Sequence, residues 1–178
     1  DSFNNGAIEG SAQVTTTYLG GVAGYNAISS GILRNNLNAG ALDYKASRGS
    51  NISLDAYVGG ISGIGNGEIS GNTNEGDITS SSNVQELYIG GIAAIWSNDC
   101  TKFENNEQCN ASDILSTGEP LKAYVGGIAG YVSGESVNIN YTTAGLKSAC
   151  TIDVTDMVSD LTNGLLCIGG HFGYIEGD

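Results

Sequence analysis

One histidine, one proline, one methionine and six basic residues are all that the 178-residue chain has of these types. With His171 alone, and with no Cys-x-x-Cys pair among the four cysteines, a zinc site is not expected. Six Lys and Arg against 19 Asp and Glu leave a net charge of −13. That balance argues against nucleic acid and anionic membrane surfaces as partners, because both need a basic face. No apolar run approaches the ~20 residues of a membrane helix, so membrane insertion is not expected either. Scarce proline beside 28 glycines and 40% apolar residues points to many short strands and turns, not to disorder. Charged residues make up only 14% of the chain, so the acid is no tail but a thin, dispersed surface. The chain opens at Asp1 without a methionine or signal segment, which suggests a mature or trimmed product.

What is present repeats. A double glycine occurs five times, in YLGGVAGY, YVGGISGI, YIGGIAAI, YVGGIAGY and CIGGHFGY. The pairs are Gly20 and Gly21, Gly59 and Gly60, Gly90 and Gly91, Gly126 and Gly127, Gly169 and Gly170, at spacings of 39, 31, 36 and 43. An aliphatic residue recurs upstream as Ile8, Leu42, Ile78, Ile114 and Ile152, lying 12, 17, 12, 12 and 17 residues before the first glycine. Two recurring values indicate a register in which the extra five residues form a bulged loop. Between motifs, GILRNNLNAGALDY and GEISGNTNEGDITS each read as two short strands joined by an Asn-rich turn, Asn and Gly both tolerating left-handed backbone.

Each repeat of 31–43 residues thus offers about three short strands and no amphipathic helix. Such a unit cannot bury an apolar face alone; stacking one coil on the next buries a continuous aliphatic column. The expected fold is all-β, a parallel β-solenoid (β-helix) with one coil per repeat, a single domain over residues 1–178. Val125 and Ile128 lie three apart, on opposite faces of a regular strand. A bend at Gly126 and Gly127 would return both to the interior, so the double glycine reads as a structural corner. The other reading, a phosphate-cradling loop, lacks the helix or lysine that completes such a site.

The stretch YVGGISGIGNGEISGNTNEGDITSSS, Tyr57 to Ser82, resembles the GLUG repeat, a Gly-rich motif of large surface and secreted proteins. The likeness covers most of the chain and is clearest in the second and fourth motifs. It implies a β-helical stalk or adhesion region with no catalytic residues to transfer. The third copy departs with Ala94 in place of Gly; the fifth carries Cys167 for Tyr and His171 for the aliphatic residue.

Cys100 and Cys109 flank TKFENNEQ, so a disulfide stapling that loop is expected, and Cys150 with Cys167 could bridge the final insertion. Each such bridge would be worth about 3 kcal/mol. Four cysteines permit three connectivities within the chain, and a bridge between subunits is a further option. An even count fits an oxidising compartment. Asn51, Asn110 and Asn140 head N-glycosylation sequons and fit secretion, although sequons arise by chance in so Asn- and Ser-rich a chain.

His171 could face Asp153 or Asp156, but one histidine supports no triad, and packing or surface exposure is the plainer reading. Glu68, Glu75 and Asp77, or Asp153 and Asp156, could form a catalytic pair or a calcium site; no EF-hand loop or calcium-binding nonapeptide appears, so a solvated acidic face is the default. Tyr18, Tyr57, Tyr88 and Tyr124 precede the first four double glycines and would stack as a ladder with ~4.8 Å steps. An outward ladder could grip glycan rings; an inward one merely packs.

No catalytic residue, cofactor or metal is expected. The leading expectation is a non-enzymatic extracellular or cell-surface structural or adhesive solenoid, a stalk or filament subunit. The chain opens on half a repeat and shows no obvious polar caps, so its partners would be copies of itself or flanking repeats of a longer chain, with surface glycans or proteins as further candidates. A glycan-binding or carbohydrate-active β-helix is the alternative, although Arg34, Lys45, Arg48, Lys102, Lys122 and Lys147 are dispersed. Ice binding would need a repeated Thr-x-Thr column, and only Thr15, Thr16 and Thr17 cluster.

Overall fold

The computed structural model describes all residues except 12–13, 48–53, 110–111, 134–144, 155–156, 158–163 and 177–178, and the side chains of 47 and 98–101. The three sequon asparagines, Arg48 and Asp156 therefore lie outside the described residues, as does the side chain of Cys100.

The chain forms a parallel β-solenoid of five rungs, each crossing four sheets. Sheet A stacks the two-residue strands Phe3–Asn4, Leu37–Asn38, Thr73–Asn74, Glu107–Gln108 and Lys147–Ser148. Sheet B stacks Ile8–Ser11, Leu42–Ser47, Ile78–Asn83, Ile114–Thr117 and Ile152–Asp153. Sheet C holds Thr16–Gly20, Asp55–Gly59, Glu86–Gly90, Lys122–Gly126 and Leu165–Gly169. Sheet D holds Ala23–Asn26, Ser62–Ser70, Ala93–Glu104, Ala129–Ser133 and Phe172–Glu176, with Ile32–Arg34 paired to the far half of Ser62–Ser70. Every pairing is parallel, and the expected row Ile8, Leu42, Ile78, Ile114, Ile152 is aligned residue on residue.

The count of three strands per coil falls one short, because the glycine corner splits the YVGGIAGY stretch into two strands on different sheets. A Cβ on the first glycine of each pair would strike the carbonyl three residues ahead: Gly59 would meet Ser62 O at 1.9 Å and Gly90 would meet Ala93 O at 1.8 Å. Only a bare backbone folds this tightly. The corner also bonds to the rung above, Gly60 N–H donating to Gly90 O at 3.1 Å and Ile61 N–H to Ile92 O at 2.9 Å.

Val125 and Ile128 are both fully buried, but in different places. Sheets B and C enclose one apolar column (Leu42, Ile78 and Ile114 against Val58, Ile89 and Val125), while Ile61, Ile92, Ile128, Trp96 and Phe103 form a second. At ~25 cal/mol per Å² of apolar surface, these columns are the main source of stability. Between them the second glycine meets a side chain from sheet A. A Cβ on Gly21, Gly60 or Gly91 would come within 2.3 Å of Asn38 Cγ, 2.4 Å of Asn74 Cγ or 2.5 Å of Gln108 Oε1.

Gly60→Ala should therefore destabilise the fold by about 3 kcal/mol or more, as overpacking against backbone does. Gly170, the same position in the last rung, has nothing within 4 Å of its hypothetical Cβ, and Gly170→Ala should stay within about 0.5 kcal/mol of the parent. Urea unfolding of the two variants measures the contrast.

Candidate functional site: ladders, charged rows and end rungs

In-register stacking turns each repeated residue into a vertical column. The amides form two. In the first, Asn4 Nδ2 donates to Asn38 Oδ1, Asn38 Nδ2 to Asn74 Oδ1, and Asn74 Nδ2 to Gln108 Oε1, each at 2.7 Å. The other amide hydrogens of Asn38 and Asn74 reach Gly40 O and Gly76 O at 2.9 and 2.8 Å. In the second, Asn36 Nδ2 donates to Asn72 Oδ1 at 2.8 Å and Asn72 Nδ2 to Asn106 Oδ1 at 3.0 Å. Apart from Asn4 at the end rung, these amides are buried, and all of them are bonded, as burial requires. The left-handed turn is a separate column: Asn35 (φ 53°), Gly71 (64°), Asn105 (52°) and Gly145 (70°).

The tyrosines form a third column. Rings of Tyr18, Tyr57, Tyr88 and Tyr124 stack with centroids 5.1, 4.8 and 4.9 Å apart and planes within 17°. Tyr88 and Tyr124 are each 7% exposed and pack around Ala94, so the inner rungs use the ladder for packing. Ala94, the departure in the third motif, is accommodated there at full burial. Desolvation lifts the Tyr57 hydroxyl to about 12, and Tyr88 is pushed further up by burial and by donating its proton to Glu86.

Charged rows run beside this ladder. Lys122 Nζ lies 2.6 Å from Glu86 Oε1, and Asp55 stands directly below Glu86 in register. Burial, with Glu86 second, pushes the Asp55 carboxyl up, and its Oδ1 is buried without a hydrogen bond. Elsewhere Arg34 grips Glu68 in a two-pronged pair at 2.9 and 2.6 Å, which holds that carboxyl near 2. Lys102 sits 2.7 Å from Glu104, Lys147 3.4 Å from Glu107 and Lys45 2.5 Å from Asp43. Each described basic side chain thus meets a carboxylate. Exposed pairs of this kind contribute ~0–1 kcal/mol each.

The sequence-predicted sites disperse. Cys109, Cys150 and Cys167 are free thiols, so neither expected bridge is present: Cys150 packs against the B–C column and Cys167 continues the tyrosine row above Tyr124. His171 is exposed at the last glycine corner, its carbonyl accepting N–H of Ile128 and Ala129, while Asp153 belongs to sheet B. Asp77, Asp113 and Asp153 line a shallow cleft of about 250 Å³ with Thr79, Leu115 and Thr151. Two of these carboxylates receive backbone N–H from the next rung, Asp77 from Asp113 at 2.9 Å and Asp113 from Thr151 at 3.3 Å, and so act as loop clips. Among the described residues no group of three acidic, His or Cys side chains could hold a metal ion.

The end rungs differ from the middle ones. Leu87 and Ala123 are 0% and 2% exposed, whereas Leu166, next in that row, is 40% exposed. Ile168 and Ile175 are 48% and 43% exposed, against 0% for Val125 and Val132 beneath them. At the other end Phe3, Ile28 and Ile32 are exposed.

These features define the class: an all-β parallel solenoid stapled by amide and aromatic ladders and bearing apolar rows at both end rungs. Compared with known proteins, the chain matches no family model, no curated protein and no solved structure.

Two variants test the columns. Asn74→Leu removes the partner of two buried amides and should cost about 3 kcal/mol, one desolvated polar group on each side, read by urea unfolding. For Asp55 the folded-state pKa lies above the ordinary 3.8, so the ionised group opposes folding at neutral pH and this cost fades as pH falls through its folded-state value. Asp55→Asn should raise the thermal midpoint at pH 7, with the gain shrinking as pH falls toward 3.8 and gone below it, measured by circular dichroism across pH.

Proposed function

We propose that this chain is a non-enzymatic structural or adhesive solenoid, a rigid stalk or filament element of the GLUG-like kind, working outside the cell or at its surface. The observation that carries this reading is the contrast between sealed middle rungs and uncovered end rungs: Leu166, Ile168 and Ile175 are exposed above the buried Ala123, Val125 and Val132 at one end, and Ile8, Leu19 and Leu33 of the apolar rows are only partly buried at the other. Rows that are complete in the middle and uncovered at the ends are suited to receiving another rung of the same chemistry, from flanking repeats or from a second copy. A contact between unlike ends does not close on itself and propagates into a rod. Thinly spread charge, with each described basic side chain already beside a carboxylate, and the buried inner tyrosines Tyr88 and Tyr124 favour a structural part over a binding groove. The extracellular placement rests on the acidic composition and the family resemblance.

Ile168 is the central exposed residue of the last row. Sedimentation velocity and negative-stain electron microscopy should show concentration-dependent rods of the parent chain, and Ile168→Glu should abolish them while leaving the unfolding midpoint nearly unchanged. Compact monomers of the parent at every concentration would overturn self-association.

A further inference from the structure

We propose that Tyr131 and Tyr174 form an oxidative cross-linking site, at which a one-electron oxidant such as a peroxidase with hydrogen peroxide joins the fourth and fifth rungs through a dityrosine bond. The two rings are in-register neighbours on sheet D, stacked with centroids 5.3 Å apart and planes 24° from parallel. Tyr131 donates its hydroxyl hydrogen to the Glu176 carboxylate. That carboxylate is a ready acceptor for the proton a phenol must release when it loses an electron, and it keeps the phenol protonated until then: burial and Glu176 push the Tyr131 hydroxyl well above its ordinary value.

The balance is simple. Each phenol gives up one electron and one proton, and the peroxide takes two of each to become two waters. The two phenoxyl radicals join by one carbon–carbon bond between ring positions ortho to oxygen. The displaced ring hydrogens then return to the two oxygens as the rings regain aromaticity. Coupling needs the rings to tilt and close, and Tyr174, 39% exposed on the last rung, has the room to turn.

The other tyrosine pairs each lack part of this arrangement. Tyr88 also donates to a carboxylate, Glu86, but it and its stacked neighbour Tyr124 are 7% exposed and locked inside the ladder. Tyr18 and Tyr25 stack at 4.9 Å and are exposed, yet among the described residues only Tyr88 and Tyr131 donate to a carboxylate. Tyr124 meets Tyr131 and Tyr174 edge-on, so it lacks the face-to-face stack of that pair.

The test treats the dilute folded chain with a haem peroxidase and hydrogen peroxide and follows dityrosine fluorescence, then maps the bond by peptide mass spectrometry. The expected result is an intramolecular link between Tyr131 and Tyr174 with the loss of two hydrogen atoms in mass. Tyr174→Phe, which deletes one hydroxyl and keeps the ring stack, should remove that link, and Glu176→Gln should slow its formation several-fold. Absence of dityrosine, a first link at Tyr18–Tyr25 or Tyr18–Tyr57, or only intermolecular links would overturn the proposal. The mapped position in the parent chain decides the matter even where a variant folds poorly, and it is independent of whether the chain forms rods.

Discussion

The contact of a bare glycine backbone with a buried amide is the constraint from which the cross-section follows. Where Gly60 passes Asn74 there is no space for a Cβ, so the coil is pinched and its interior splits into two narrow apolar columns. Two narrow columns can be filled by Ile, Val and Leu without large aromatic residues in every rung. The amide at the pinch would be a liability alone, since a buried unpaired polar group costs about 1–3 kcal/mol. Stacking removes the liability, because the amide above supplies the acceptor and the carbonyl two residues ahead takes the second hydrogen. The polar waist is therefore compatible with burial only inside a stack. Local sequence and global architecture depend on one another at this point.

In-register parallel stacking also dictates which residues may repeat. Neutral groups with two complementary faces, such as amides, phenol rings and aliphatic side chains, gain by lying on their own kind at ~4.8 Å. Charged groups lose by it. The charged rows accordingly alternate in sign between rungs: Glu86 lies under Lys122, Glu68 under Lys102, and Glu107 under Lys147. Asp55 beneath Glu86 and Glu9 beside Asp43 break the rule, and at Asp55 the carboxylate is pushed toward its neutral form. A low share of charged residues in the chain reads as a consequence of this geometry.

The solenoid was legible because its signals are periodic. Five double glycines and the row Ile8, Leu42, Ile78, Ile114, Ile152 announced both the coil and its register, and all five aliphatic residues do stand in line. The asparagines were only half legible. Left-handed turn residues were expected and occur at Asn35 and Asn105. The inward pairs Asn36 and Asn38, Asn72 and Asn74, Asn106 and Gln108 carry a different meaning, and their shared spacing of two between amide residues was the available signal. Spacing of two along an extended chain puts both side chains on one face, which a turn would not require. The cysteine pairings failed for a physical reason as well. Proximity in sequence says little in a solenoid, where each residue's neighbours lie one coil away, and Cys150 and Cys167 occupy different sheets' surroundings.

The same logic separates where this chain can vary from where it cannot. Substitution in a ladder row alters contacts with the rung above and the rung below, so rows are doubly constrained. Connections can also bond to the adjacent rung, as those of Asp77 and Asp113 do, yet repeat length still drifts from 31 to 43 residues. In chain order Asn51 falls between the Leu42–Ser47 and Asp55–Gly59 strands, Asn110 between Glu107–Gln108 and Ile114–Thr117, and Asn140 between Ala129–Ser133 and Lys147–Ser148. A rigid stack with length-tolerant connections can change what it displays without changing what holds it together, because loop closure costs rise only slowly with length. In such a protein the column supplies the mechanics, and any specificity toward a partner has to be written in the connections.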